Sequence, residues 1–157
     1  MNSIHLTTFI QAPVDRVFDL SRNITVYKVT LQHTRHNFSS GSASSLIGLG
    51  DTLTFRAKHL GKTRIMTAKV INLKKPDSFV EEQVNGDLRR FRHEHHFMQA
   101  ENGTIMIDML DFEGPTDWFG KLLGKFYLKK YLQKFIQKRN EVIKQYAESE
   151  KWRAVLS

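Results

Sequence analysis

The feature that most constrains this chain is a change of hydrophobic period at Gly114-Pro115. Before that point, apolar residues recur at every second position. Leu53, Phe55, Ala57 and His59 alternate with Thr52, Thr54, Arg56 and Lys58, and Phe91, His93, His95 and Phe97 alternate with Arg90, Arg92, Glu94 and His96. A period of two predicts strands. Leu60-Gly61, Lys74-Lys75-Pro76-Asp77, Asn85-Gly86 and Glu101-Asn102-Gly103 supply turn chemistry between them. After Pro115 the spacing becomes helical. Phe119, Leu122, Leu123, Phe126, Tyr131, Leu132, Phe135, Ile136, Val142, Ile143 and Tyr146 fall on one stripe, with most lysines on the other side. An antiparallel meander with one apolar face needs a cover, and a single long helix over residues 116–148 provides it. One helix cannot fill a wide curved sheet, so a cavity is predicted between the two.

The N-terminal part completes the order. Ile4 to Gln11 reads as a strand that Ala12-Pro13 ends. Val14, Val17, Phe18 and Leu20 make a short helix face, and Ile24, Tyr27 and Leu31 suit a second short helix or an irregular turn. Ser39-Ser40-Gly41-Ser42-Ala43-Ser44-Ser45 reads as a loop. The predicted fold is α+β: a strand, two short helices, a curved antiparallel meander and one long C-terminal helix. Residues 1–149 are expected to form one domain and 150–157 a tail.

Composition narrows the function classes. A chain of 157 residues suits one domain, and 11 Phe, 4 Tyr and 2 Trp give it a core to bury. The absence of cysteine excludes disulfides, thiol catalysis and thiolate zinc sites. No apolar run is long enough to cross a membrane and no leader is legible at the N-terminus, so a cytoplasmic protein is expected. The formal charge of +8 raises nucleic acid and anionic membranes as partners. Nucleic acid would need exposed aromatics among the basic residues. The sheet aromatics are expected inside, so no nucleic-acid partner is. Lys129-Lys130 and Lys138-Arg139 are placed to touch anionic headgroups transiently, although a solvated basic face is the simpler reading.

Three stretches carry a resemblance. They are Ala12-Pro13-Val14-Asp15-Arg16-Val17-Phe18-Asp19-Leu20, then Phe91-Arg92-His93-Glu94-His95-His96-Phe97, then Gly103-Thr104-Ile105-Met106-Ile107-Asp108 followed by Phe112-Glu113-Gly114-Pro115. In this order and spacing the chain resembles the START-like, SRPBCC superfamily with its helix-grip fold, in its polyketide-cyclase-like and ubiquinone-binding-like bacterial branch. The resemblance implies a cavity that takes an apolar or amphipathic, lipid-like molecule without a cofactor. Some relatives of that kind are cyclases, dehydratases or hydrolases.

Parity then selects candidate site residues. With a two-residue last turn, Phe91, His93, His95 and Phe97 share the inward face with Met106, Asp108, Leu110 and Phe112, whereas a glycine bulge would turn Asp108 outward. The predicted apolar wall is Phe55, Met66, Phe91, Phe97, Met106, Leu110, Phe112, Leu123 and Phe126, and the predicted polar anchors are His59, His93, His95 and Asp108. A buried Asp must be paired or protonated, and His93 or His95 is its nearest partner. The pair could anchor a ligand, fix sheet register, or act as general base and orienter. Binding is favoured over catalysis, and a regulatory interaction module with a vestigial pocket is the third alternative. His-x-His is also a metal-ligand spacing, but strand spacing alone is a weak signal and no metal site is expected. One of Glu81, Glu82 and Gln83 should face inward, and parity does not choose among them.

Overall fold

In a computed structural model, residues 1–59, 61–115 and 118–156 are described, with the backbone alone for residues 59, 118–123 and 125. The elements are β1 (Asn2–Ile10), α1 (Val14–Ser21), α2 (Ile24–Leu31), β2 (His36–Ser40), β3 (Thr52–His59), β4 (Lys62–Lys74), β5 (Ser78–Asn85), β6 (Arg90–Ala100), β7 (Gly103–Glu113), α3 (Trp118–Ala147) and α4 (Trp152–Leu156). The seven strands form one antiparallel sheet in the order β1-β7-β6-β5-β4-β3-β2. β1 and β2 lie at opposite edges, and α1 and α2 carry the chain across between them. Asn23 starts α2 by accepting hydrogen bonds from the backbone N–H groups of Thr25 and Val26 through its side chain. The architecture is the α+β helix-grip expected from the sequence.

Four details differ from the sequence reading. Ser39 and Ser40 belong to β2, whose Phe38 lies opposite Phe55 of β3, so the serine loop is shorter than expected. The β5–β6 connection is longer than an Asn85-Gly86 turn, because Glu82 is the last β5 residue to pair with β6 and faces Arg92. The long helix is broken at Gly124, whose φ of 70° and ψ of 153° lie outside the range open to a residue with a Cβ. The expected tail contains α4, whose Trp152 ring stacks under the Arg16 guanidinium at 4.1 Å. Asn23 fastens it further, donating from Nδ2 to the carbonyl of Val155 over 3.0 Å.

The core divides along α3. At its C-terminal half, Val142, Ile143 and Ala147 pack with Phe18, Phe79, Phe97 and Met106. Phe18 meets Phe79 and Phe97 edge-on, with ring centroids 5.8 and 5.3 Å apart. Leu132 and Ile136 pack on Ile4, Phe91, Leu110 and Phe112. A third group, Tyr27, Ile47, Leu53 and Val70, lines the sheet beneath α2. The first group seals one end of the sheet, and the space left open lies between the other two.

Candidate functional site

The last hairpin sets the site. Ala100 pairs with Gly103 around a two-residue turn, and Asn102 takes the left-handed conformation that asparagine tolerates. His95 therefore faces Asp108 directly across the strands, and no bulge turns Asp108 outward. On the other side of β6, Glu81 lies opposite His93 and Glu82 opposite Arg92. This resolves which β5 residue points inward. Glu81 is buried, while Glu82 pairs with Arg92 on the outer face at 3.0 Å.

Asp108 is wholly buried and holds the cluster together. Its Oδ1 accepts from His93 Nε2 and from His95 Nδ1, each at 2.9 Å, and its Oδ2 accepts from Asn140 Nδ2 at 2.7 Å. The Arg139 guanidinium stands 3.6 Å from Oδ1 and donates to the Ser21 carbonyl at 2.7 Å. It also lies over the Tyr27 ring, 5.4 Å from the centroid. Tyr27 donates its hydroxyl to Glu81 Oε1 at 2.8 Å. The imidazoles of His93 and His95 lie 3.8 Å apart, and His95 stacks on Phe79 at 4.2 Å.

Burial works against both carboxylates, and their partners outweigh it. Burial raises the Asp108 carboxyl, but the hydrogen bonds and charges of His93 and His95 hold it well below the usual range. Burial likewise raises Glu81, and His95, His93 and Arg139 bring it down to about 2. Burial first, and then the neighbouring His95, lower His93 to about 4 against the pull of Asp108. Tyr27 is pushed upward by burial and by Glu81. At neutral pH both carboxylates are thus ionised and His93 is neutral. Because a carboxylate only accepts, His93 carries its proton on Nε2 and His95 one on Nδ1.

A cavity of about 390 Å³ opens beside this cluster. Phe55, Ala57, Met66, Phe91, Leu110, Leu128, Phe135 and Ile136 give it an apolar wall, and Tyr27, Glu81, His93 and Arg139 bring polar groups to it. Gly114, Pro115, Gly124 and Tyr127 border it where α3 begins. Of the predicted wall, Phe55, Met66, Phe91 and Leu110 line this space. Phe97 and Met106 do not, because they lie further along β6 and β7 in the sealed core under α1. Phe112 is buried against Ile4 and Leu132. Phe126 is 86% exposed, because the break at Gly124 turns it to solvent. The side chains of His59 and Leu123 lie outside the described residues. Among the predicted anchors, His93 borders the cavity, while His95 and Asp108 are sealed behind it.

Arg139 corrects an expectation. It is 1% exposed and inside the fold, not on the lipid-facing surface with Lys138. Its position was visible in the pattern: Leu132, Ile136, Arg139, Ile143 and Ala147 follow one helical stripe, and all are buried. The spacing of Tyr27 with Ile24 and Leu31 marks a helix face and gives no sign of its contact with Glu81. Asn140 had no signal beyond adjacency to that stripe.

No family model matches the chain, and no curated protein matches it. Solved structures do. TTHA0849 from Thermus thermophilus is 21% identical, with a TM-score of 0.67 over 98% of both chains. The Zhui aromatase/cyclase from Streptomyces sp. R1128 is 12% identical, with a TM-score of 0.75 over 94% of this chain and 93% of its own. The ginseng major latex-like protein 151 from Panax ginseng is 12% identical, with a TM-score of 0.64 over 94% and 98%. These likenesses show the helix-grip fold.

Proposed function

We propose that this protein binds one small apolar or amphipathic molecule in the cavity between the sheet and α3. The observation that carries this reading is the cavity itself. At about 390 Å³ it falls within the usual ligand range of roughly 300–1,000 Å³, and its wall is mainly aliphatic and aromatic, with Tyr27, Glu81, His93 and Arg139 among its polar lining residues. The apolar body of the ligand lies against Phe55, Met66, Phe91 and Leu110, and its polar end meets His93, Glu81 and Tyr27. His95 and Asp108 act from behind by fixing the orientation of His93. Native mass spectrometry of the purified protein tests this directly. A co-purified small-molecule mass released on denaturation is expected, and a protein that carries none and takes up no added apolar probe overturns the reading.

A second reading has a specific observation behind it. His93 reaches the cavity, is neutral at pH 7, and is held by Asp108 on its far nitrogen. That is the arrangement of a general base and its orienter, suited to a cyclase- or dehydratase-like proton transfer. One structural neighbour is an aromatase/cyclase by name. Loss of turnover of a co-purified ligand in His93→Gln, with its binding retained, would favour catalysis over storage.

Ligand exchange is proposed to take place at an anionic membrane surface, in a cytoplasmic setting that suits a cysteine-free chain. Exposed Phe126 and Tyr127 lie close in sequence to exposed Lys129 and Lys130 near the cavity border. Among the described residues, no helix is long and apolar enough to cross a membrane. Phe126→Ser should weaken sedimentation with anionic vesicles, and equal sedimentation of both proteins would contradict this contact.

A further inference from the structure

Among the described residues, the Asp108 network leaves two buried nitrogens without a hydrogen-bond partner, Arg139 Nε and His95 Nε2, and the second points at a carboxylate. His95 Nδ1 donates to Asp108, so Nε2 is the ring nitrogen left for another partner. That Nε2 is buried and accepts no hydrogen bond. Glu81 Oε2 stands 3.6 Å away, which is beyond a hydrogen bond. A ring nitrogen and a carboxylate oxygen facing each other in a low-dielectric interior call for a proton or a metal ion between them.

The spacing suits a metal ion better than a proton. Two bonds of 2.0–2.2 Å at the tetrahedral angle put their donor atoms about 3.4 Å apart. His93 supplies a third donor, because its Nε2 is held by Asp108 and its Nδ1 remains available. One ligand atom each from Glu81, His93 and His95 lies within 4.8 Å of the others. We infer that Glu81, His93 and His95 form a binding site for one divalent transition-metal ion of the zinc class.

The surroundings fit that role. Histidine ligands to metals donate their second ring N–H to a carboxylate, which fixes the tautomer and raises ligand basicity. Here a single carboxylate, Asp108, does this for both rings. Tyr27 orients Glu81 by donating to its other oxygen. Charge also asks for a cation: with neutral imidazoles, as ligation requires, Glu81 and Asp108 outweigh Arg139 by one negative charge. Two histidines and one glutamate leave a tetrahedral ion with a fourth position. Glu81 and His93 border the cavity, so the ion enters by that route and its fourth position faces it. The pattern was not legible from the strand spacing of His93 and His95, because the third ligand comes from β5, whose inward residue the sequence left open.

The experiment uses the full chain, freed of metal with a chelator and titrated with Zn²⁺ by calorimetry and with Co²⁺ by visible absorption. One equivalent is expected to bind, with a tetrahedral Co²⁺ band. Glu81→Gln keeps the hydrogen bond from Tyr27 but removes the anionic ligand, and should lower affinity by more than about 100-fold, as should His93→Gln. Asp108→Asn, a positioning change, should lower it about 10- to 100-fold. His96→Gln, on the opposite face of β6, should leave affinity unchanged. Should the core variants fail to fold, X-ray absorption on the zinc-loaded native chain reads the ligands directly, with two imidazoles expected at about 2.0–2.1 Å. No saturable binding, equal affinity in folded Glu81→Gln, or any count other than two imidazoles overturns the inference.

Discussion

Replacing Asp108 by alanine should cost far more than one hydrogen bond. Its two oxygens accept from His93, His95 and Asn140 at 2.9, 2.9 and 2.7 Å, and Arg139 lies 3.6 Å away. Removing the carboxylate leaves three buried donors without their acceptor and a buried guanidinium without its nearest counter-charge. A neutral hydrogen bond nets about 1 kcal/mol. Breaking a buried ion pair from one side costs about 3–5 kcal/mol, and the second figure applies because Arg139 is 1% exposed. For a domain of this size that is a fall in Tm of roughly 6–20 °C. Urea unfolding at pH 7 with chelator present should show a lower midpoint at unchanged slope. The double change His93→Phe/Asp108→Leu should not rescue the fold, because Arg139 and Asn140 stay buried without the carboxylate. A simple two-residue pair would have tolerated that substitution. A loss below about 1 kcal/mol for Asp108→Ala would refute the view that this carboxylate organises the cluster.

Two further outcomes concern single residues and a third concerns salt. Gly124→Ala should destabilise by about 1–3 kcal/mol in urea unfolding, since the positive φ is strained for alanine although nothing blocks its Cβ. Glu148 accepts from the Gln11 backbone N–H, which with Lys144 holds its carboxyl below the ordinary value of 4.5. A lowered folded value stabilises above pH 4.5 and loses that effect as pH falls through it. Glu148→Gln should therefore flatten the acid side of the stability profile, by less than about 1 kcal/mol at a partly exposed site. Binding of an apolar probe should survive added salt, whereas a steep salt slope in binding to nucleic acid would give the basic surface a different partner.

The sequence made the sheet legible because its physics is local. Period-two alternation places Phe91, His93, His95 and Phe97 on one face, and a two-residue turn then puts His95 opposite Asp108. What it left open depended on longer-range choices. Glu81 could be separated from Glu82 and Gln83 only by the β5–β6 register, which pairs Glu81 with His93. Arg139 shows another limit: its charge argued for the surface, yet its place on the α3 stripe carries it to Asp108 and Tyr27. The wall residues Phe97, Met106 and Phe112 face inward as alternation requires. Facing inward did not tell whether they meet α1, the middle of α3 or open space, because the packing of helices along the sheet decides that. The break at Gly124 likewise interrupts a helical period that continues on both sides, and it turns Phe126 outward.

The most direct measurement of the central claim is saturable binding of an apolar probe to the native chain and to a variant with its cavity filled. Anilinonaphthalene sulfonate fluorescence, with displacement by dodecanoic acid, reads occupancy, and Met66→Trp places bulk in the space that Met66 and Phe55 border. One equivalent of displaceable probe is expected on the native protein, with affinity reduced at least roughly tenfold in folded Met66→Trp, equivalent to about 1.4 kcal/mol. Absent or non-saturable binding, or equal affinity in both proteins, would contradict a ligand site between sheet and helix.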